Sequence, residues 1–164
     1  MSFGRLAGLH WSLALSMTIK DIDKNKKIAE FLNSAPRFKV VILSNDSFDV
    51  ALPHVNVGKV VATYLKGNNL SEIAINSVKD YLSNAISEAT ISDTDYGKYV
   101  CLTNLGILFE KQLDFTPTEF LANISKNTAL FLHWQGDIAN KKLYLLNEGS
   151  RYFIDLENIN HITI

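Results

Sequence analysis

Residues 99–134 read YVCLTNLGILFEKQLDFTPTEFLANISKNTALFLHW, and this stretch decides the fold. Residues 98–102 (KYVCL) form an apolar run of strand length that ends in the polar pair Thr103 and Asn104. After residues 105–109 (LGILF) comes a helix start, with Thr116 at the N-cap, Pro117 at the first helical position and Glu119 three residues after the cap. In such a capping box the hydroxyl and the carboxylate each satisfy a backbone N–H that the helix leaves free, and proline sits where no donor is needed. A second apolar run, residues 129–134 (ALFLHW), follows. Two apolar strands joined through a helix predict a parallel sheet buried on both faces, the α/β arrangement. Such folds carry their chemistry at the strand ends, and no catalytic set stands at the ends of these two runs.

Working outward, residues 135–137 (QGD) predict a turn into residues 142–146 (KLYLL), residues 147–150 a second turn into residues 151–154, and residues 162–164 a final edge strand. Short strands at this spacing predict a C-terminal β-hairpin or meander at the end of the sheet. Upstream, residues 90–98 are polar and read as a loop. Before them Leu70, Ile73, Ala74, Val78, Tyr81, Leu82, Ala85 and Ile86 recur at helical spacing behind a start at Asn69 and Glu72, which predicts a core-facing helix. Val57, Val60, Val61, Tyr64 and Leu65 make another helical stripe, closed by Gly67 and Asn68. Residues 38–43 (FKVVIL), rich in β-branched side chains, predict a buried strand. A helix from Thr18 precedes it, with Ile28, Phe31, Leu32 and Ala35 on one face, Lys24, Lys26, Lys27 and Glu30 solvated, and Pro36 as its stop.

Residues 1–16 carry Arg5 followed by an apolar run that His10 and Ser12 interrupt, with no small-residue cleavage site after it and too few residues to span a bilayer. They read either as an amphipathic tail packing on a neighbour or as sequence upstream of a start at Met17, with the second preferred. The expected organisation is therefore a tail or upstream extension at 1–17 and one α/β domain at 18–164. A chain of 164 residues is long enough to bury a core without staples. Its 47% hydrophobic and 20% charged content is that of an ordinary globular protein. Sixteen basic against seventeen acidic residues leave a formal net charge of −1, so no global basic excess draws the chain to nucleic acid, although a local patch stays open. The single cysteine, Cys101, excludes a disulfide framework and points to a cytoplasmic location. Its place among apolar neighbours predicts an inert core thiol.

The loop after the first strand is the most informative negative. A P-loop domain would continue from that strand into a glycine-rich loop ending in Gly-Lys-Ser/Thr, whose backbone N–H groups hold phosphate. Here residues 44–49 (SNDSFD) contain no glycine and two carboxylates, Asp46 and Asp49, so they predict no phosphate cradle. Gly58 and Lys59 do form a Gly-Lys pair, but Pro53 stands where the motif wants glycine and Val60 replaces the magnesium-binding hydroxyl, which makes Lys59 an exposed helix residue. The strand ending at Thr103 and Asn104 lacks the acidic residue that would hold magnesium; Asn104 can still orient a water or cap a short helix. His133 and His161 have no partners at metal-ligand spacing and read as structural. The chain has no GxSxG elbow, HExxH pair, paired-cysteine zinc motif or internal repeat.

Taken together, VCLTNLGILFEKQL, the capped helix and ISKNTALFLHWQGDIANKKLYLLNEGSRYF, spanning residues 98–152, resemble the BrxF family of small P-loop proteins from bacteriophage-exclusion (BREX) defence systems. Leu108 and Phe109, then Ser125, Lys126 and Asn127, then Trp134, Gln135 and Gly136 match the family's loop, helix end and Trp-x-Gly, and PHVNVGKVVATYL looks like its second strand and following helix. The resemblance implies a three-layer, mostly parallel sheet with a P-loop-NTPase-like core and a C-terminal β-hairpin. Both nucleotide motifs of the family are missing here, so it implies a degenerate relative with no catalytic, cofactor-binding or metal residue. The expected function is a non-catalytic pseudo-ATPase subunit of an antiphage complex. It implies other protein subunits as partners, nucleic acid reached through a partner, no membrane association, and self-association left open. Phe48, Phe115, Trp134 and Arg151 are the candidate contact residues. Two alternatives stand beside it. One is a metal-dependent nuclease or other phosphodiesterase assembled from Asp46, Asp49, Asp93, Asp95 and His133. The other is a nucleic-acid adaptor using the lysines of residues 20–27, weakened by the interspersed Asp21 and Asp23.

Overall fold

The computed structural model describes residues 22–48, 53–69, 75–93 and 97–164. The expected tail, the helix start at Thr18, Lys20, Asp21, Asp49, Leu70, Glu72, Ile73, Ala74 and Asp95 lie outside these residues. The elements are α1 (Ile22–Asn33), β1 (Val40–Leu43), β2 (Val55–Asn56), α2 (Val57–Lys66), α3 (Ile75–Ala89), β3 (Ile91–Asp93) and β4 (Gly97–Thr103). They continue with α4 (Pro117–Ser125), β5 (Ala129–His133), β6 (Ile138–Ala139), β7 (Lys142–Tyr144), β8 (Phe153–Asp155) and β9 (His161–Thr163). Short 3₁₀ turns follow β1 (Asn45–Ser47) and β4 (Leu105–Phe109 and Lys111–Leu113).

Five parallel strands form the main sheet in the order β2-β4-β5-β1-β9, and β3 adds antiparallel beside β4. Numbered by appearance, the parallel strands run 2-3-4-1-5, unlike the dinucleotide-binding 3-2-1-4-5-6 or the flavodoxin-like 2-1-3-4-5 order. The first strand lies inside the sheet, as in a P-loop-like core. Strand alternation sorts the apolar runs onto two faces. Val40, Ile42, Val100, Leu102, Leu130 and Leu132 meet α2, α3, α4 and the small second sheet. Val41, Leu43, Tyr99, Cys101, Ala129 and Phe131 meet α1 through Ile28, Phe31 and Leu32. Both faces are covered, so β1 is buried at all four positions and the runs need no polar alternation. The result is a three-layer α/β fold.

Several elements differ from the sequence expectation. Residues 90–98 are not simply a polar loop: Ile91, Ser92 and Asp93 pair with Tyr99, Lys98 and Gly97 as one arm of a hairpin. Gly97 has φ +72, a left-handed conformation that suits glycine at the start of the return strand. Three residues at a sheet edge carry too short an apolar pattern to betray a strand. Helix α1 ends at Asn33, and Ala35 (φ 50) is an exposed left-handed residue beyond it rather than part of its apolar face. At α4, Thr116 occupies the N-cap position and Pro117 the first turn, but the Thr116 hydroxyl makes no capping bond. The helix start is anchored instead by Thr118, whose hydroxyl donates to the Asp155 carbonyl and accepts the Asp155 N–H, each at 3.2 Å.

The C-terminal strands also part company. β6, β7 and β8 form a separate antiparallel sheet. It attaches to the core through Leu143 and Ile154, both fully buried. β9 alone returns to the main sheet, parallel to β1. Residue spacing reports local neighbours; it cannot report that the open edge of β1, some 120 residues upstream, is the better partner.

Candidate functional site at the carboxyl ends of the strands

Ligands of open α/β sheets bind in the crevice beyond the carboxyl ends of the strands, where neighbouring connections diverge. Here the connection from β1 crosses to one edge, at β2, while that from β5 crosses to the other, at β9. The crevice therefore lies between Ser44, which follows β1, and Trp134, which follows β5.

The turn after β1 is filled by its own backbone. Ser47 N–H and Phe48 N–H donate to the Ser44 carbonyl (3.0 and 3.1 Å), and Ser44 N–H donates to the Ile164 carbonyl (3.1 Å). Ser47 is buried, and its hydroxyl accepts a hydrogen bond from Lys24 Nζ at 3.1 Å. Lys24 is thus a half-buried tether from α1 to the turn rather than a solvated face residue. Next in the chain, the Phe48 ring stacks on His133 with centroids 4.0 Å apart and planes within 11°. His54 meets the edge of the same phenyl ring at 5.5 Å. His133 Nε2 lies 2.8 Å from Asn45 Oδ1; an amide oxygen only accepts, so Nε2 carries the proton.

A second lock lies beside this stack. Asn104 has φ 54, a conformation asparagine tolerates better than most residues. Its Nδ2 donates to Asn56 Oδ1 at 3.1 Å, and Asn56 Oδ1 also caps α2 by accepting Lys59 N–H at 2.9 Å. Gly58 N–H donates to the Asn104 carbonyl at 3.2 Å. A β-carbon at Gly58 would collide with the Asn104 side-chain amide, so this glycine serves a close backbone approach. Lys59 is exposed on α2, as expected.

The cavity left at this end, bordered by Asn104, Gly106, His133, Trp134 and Gln135, is about 100 Å³. Ligand pockets are typically ~300–1,000 Å³, so the cavity has room for a few waters but not for a nucleotide. Two larger cavities, of about 360 and 250 Å³, lie away from it, between α3 and α4. Both are lined by Ser83 and Asn123, the larger also by Lys98 and the smaller by Lys79 and Glu119. Among the described residues no three His, Cys, Asp or Glu side chains gather as a metal site.

The sequence candidates scatter accordingly. Phe48 is half-buried in the crevice. Trp134 is also there but is only 5% exposed, a core residue whose indole N–H donates to the Tyr144 carbonyl at 3.1 Å. Phe115 packs edge-on to Phe120 beside Lys79, at the α3–α4 cleft. Arg151 is exposed, lies over the Tyr152 ring and donates to its hydroxyl at 2.8 Å. Of the carboxylates considered for metal chemistry, Asp46 is exposed in the turn after β1. The Asp93 backbone pairs with Gly97 at the amino end of β4, six residues from Thr103. At ~3.3 Å per residue that puts the Asp93 backbone ~20 Å from the end where His133 lies. Of the lysines, Lys26 pairs with Glu30 at 3.8 Å in the i,i+4 relation. The residues missed were Asn45 and Asn56, which carry no motif; Asn104, expected to orient a water or cap a short helix, stands at the N-cap position of the 3₁₀ turn after β4 but makes no side-chain capping bond there. The available signal was topological: each stands within two residues of a strand end, and parallel strands bring those ends together.

Burial, followed by the nearby positive charge of His54, lowers the His133 pKa from its ordinary 6.5. Between that lowered value and 6.5 the unfolded chain binds more protons than the native one. His133 therefore contributes stability that is present above pH 6.5 and lost as pH falls through its native pKa. Urea midpoints measured from pH 8 to pH 5 should decline on the acid side, and His133→Gln should flatten the decline. Equal slopes in the two proteins would remove His133 as its cause.

No helix of the described residues is long and apolar enough to cross a membrane. No family model, curated protein or solved structure matches this chain.

Proposed function

We propose that the protein is a non-catalytic, P-loop-like pseudo-ATPase module that works in the cytoplasm through protein–protein contacts, as an interaction subunit of a bacterial antiphage defence system. The observation that carries the non-catalytic reading is the plugged turn after β1. Its Ser44, Ser47 and Phe48 N–H groups are spent on backbone carbonyls, and an aromatic stack stands beside them. A phosphate needs converging free N–H groups or cations, and Lys24, which reaches the turn from α1, donates to Ser47. Thr103 and Asn104 supply no carboxylate for magnesium. The defence assignment rests on the resemblance of residues 98–152 to the BrxF family.

Titration calorimetry with a non-hydrolysable ATP analogue and magnesium should give no binding heat at ~100 µM protein, a level that registers affinities tighter than ~1 mM. Micromolar binding would overturn the pseudo-ATPase reading. The subunit role is tested separately by co-purification with the products of adjacent genes. A stable complex is expected, and failure to bind any of them would count against it.

A further inference from the structure

Leu146 is out of place by two independent criteria. It is 77% exposed, the most exposed large apolar side chain among the described residues. Its backbone also has φ 79, in the left-handed region that leucine rarely adopts and glycine or asparagine adopts readily. Neither feature is an accident of a loose loop. The Leu146 carbonyl accepts Asp137 N–H at 3.3 Å, and the preceding Tyr144 carbonyl is gripped by the Trp134 indole. A residue that serves neither the core nor its own backbone, yet is held firmly outward, directs attention to what it meets.

Leu146 follows β7 by two residues. Tyr144 and Phe153 are cross-strand partners on the outer face of the small sheet, opposite in direction to the buried pair Leu143 and Ile154. Their rings lie 5.7 Å apart, and Phe153 is 38% exposed. Lys142 and Asp155 are the next pair on that face. They form no ion pair with each other. Lys142 Nζ lies over the Phe153 ring at 4.5 Å, and Asp155 Oδ1 accepts the Glu157 N–H at 2.8 Å. In the chain beyond Leu146, Glu148 and Arg151 are exposed. The patch thus has an aromatic and aliphatic centre, flanked by both signs of charge.

A surface with an apolar centre and charges of both signs that form no ion pair among themselves can complement itself, because a two-fold axis along the strands sets Lys142 of one copy over Asp155 of the other. A chain of net charge −1 adds little repulsion between copies. We infer that the outer face of β7 and β8, with Leu146 as its anchor, is a two-fold interface between two copies of this chain. With the axis along the strands, Tyr144 meets Phe153 and Lys142 faces Asp155 of the second copy, while Leu146 packs at the end of the patch. About six side chains per copy make an interface well below the ~800 Å² per partner of a stable complex, so the dimer is weak. This inference is independent of the pseudo-ATPase reading.

Sedimentation velocity of the full chain from ~10 µM to ~1 mM should show the weight-average mass rise toward twice the monomer, with a midpoint on the order of 100 µM. Leu146→Asp should remain monomeric throughout, a loss of at least tenfold in affinity. Leu146→Asn, suited to a positive φ, separates lost docking from lost folding: it should match the wild type in thermal melting and still lose dimerisation. A wild-type chain monomeric at ~1 mM would overturn the proposal. So would a dimer that both variants leave intact. A monomer whose Leu146→Asp variant loses a co-purifying protein would overturn it too, and would assign the face to that protein.

Discussion

Gly136→Ala should be the most damaging glycine-to-alanine change among the described residues, lowering stability by ~3 kcal/mol or more. The residue lies in the turn between β5 and β6, where the backbone folds back over the end of β7. A β-carbon there would fall inside the Tyr144 carbonyl oxygen, and would lie 3.0 Å from Leu146 N and 3.1 Å from the Trp134 indole nitrogen. Two of these obstacles are backbone atoms of a hydrogen-bonded segment, which cannot rotate aside as a side-chain tip can. Tyr144 N–H donates to the Asp137 carbonyl at 2.9 Å, and Asp137 Oδ2 accepts the Glu148 N–H at 3.1 Å, so moving the segment breaks several bonds together. In urea the expected midpoint loss is ~1–2 M for a protein of this size. Gly67→Ala is the control. Its β-carbon would meet nothing closer than 3.8 Å, and its φ of −83 suits alanine, so its midpoint should move little. Equal midpoints for Gly136→Ala and wild type would mean that the turn does not approach Tyr144 as described.

That glycine also shows where sequence reading stops. The Trp-x-Gly triplet is visible in the chain, and a turn at residues 135–137 follows from it. The reason for the glycine, a carbonyl eight residues later, emerges only when β7 is in place. The same division runs through the molecule. Strands β1, β4 and β5 were legible because a sheet covered on both faces demands unbroken apolar runs, and helices α2 and α3 because each carries a one-sided apolar stripe. Strand β3 was hidden by its length, and the partner of β9 by distance along the chain. At the crevice, the absence of a glycine-rich loop was plain in residues 44–49, but its replacement was not. The Phe48–His133 stack spans 85 positions, and the Asn56–Asn104 bond 48. Neither pair has a spacing that any local periodicity could flag. Lys24 was misjudged for a related reason: on a helical wheel it belongs to the charged face, and only the turn after β1 makes it a tether.

Cys101 should react with iodoacetamide at least ~10³ times more slowly in the native protein than in urea, and this slowness makes it a gauge of the whole sheet. The thiol is 1% exposed on the face of β4 covered by α1. Burial pushes its pKa from 9.0 to about 12, so at neutral pH the reactive thiolate falls a thousandfold before access is considered. Reaction must therefore pass through an opening of the sheet, and its rate follows the free energy of that opening. Rapid native labelling would mean that the α1 layer does not seal this face. The same thiol resolves what Gly136→Ala does. If the added methyl only frays the small sheet, Cys101 stays protected while Trp134 fluorescence changes. If it destabilises the whole fold by ~3 kcal/mol, labelling accelerates by about two powers of ten, since each ~1.4 kcal/mol is tenfold. The second outcome is expected. Leu143 and Ile154 join the small sheet to the cluster that holds Val100, Leu102 and Leu132, so the two sheets share one core and should open together.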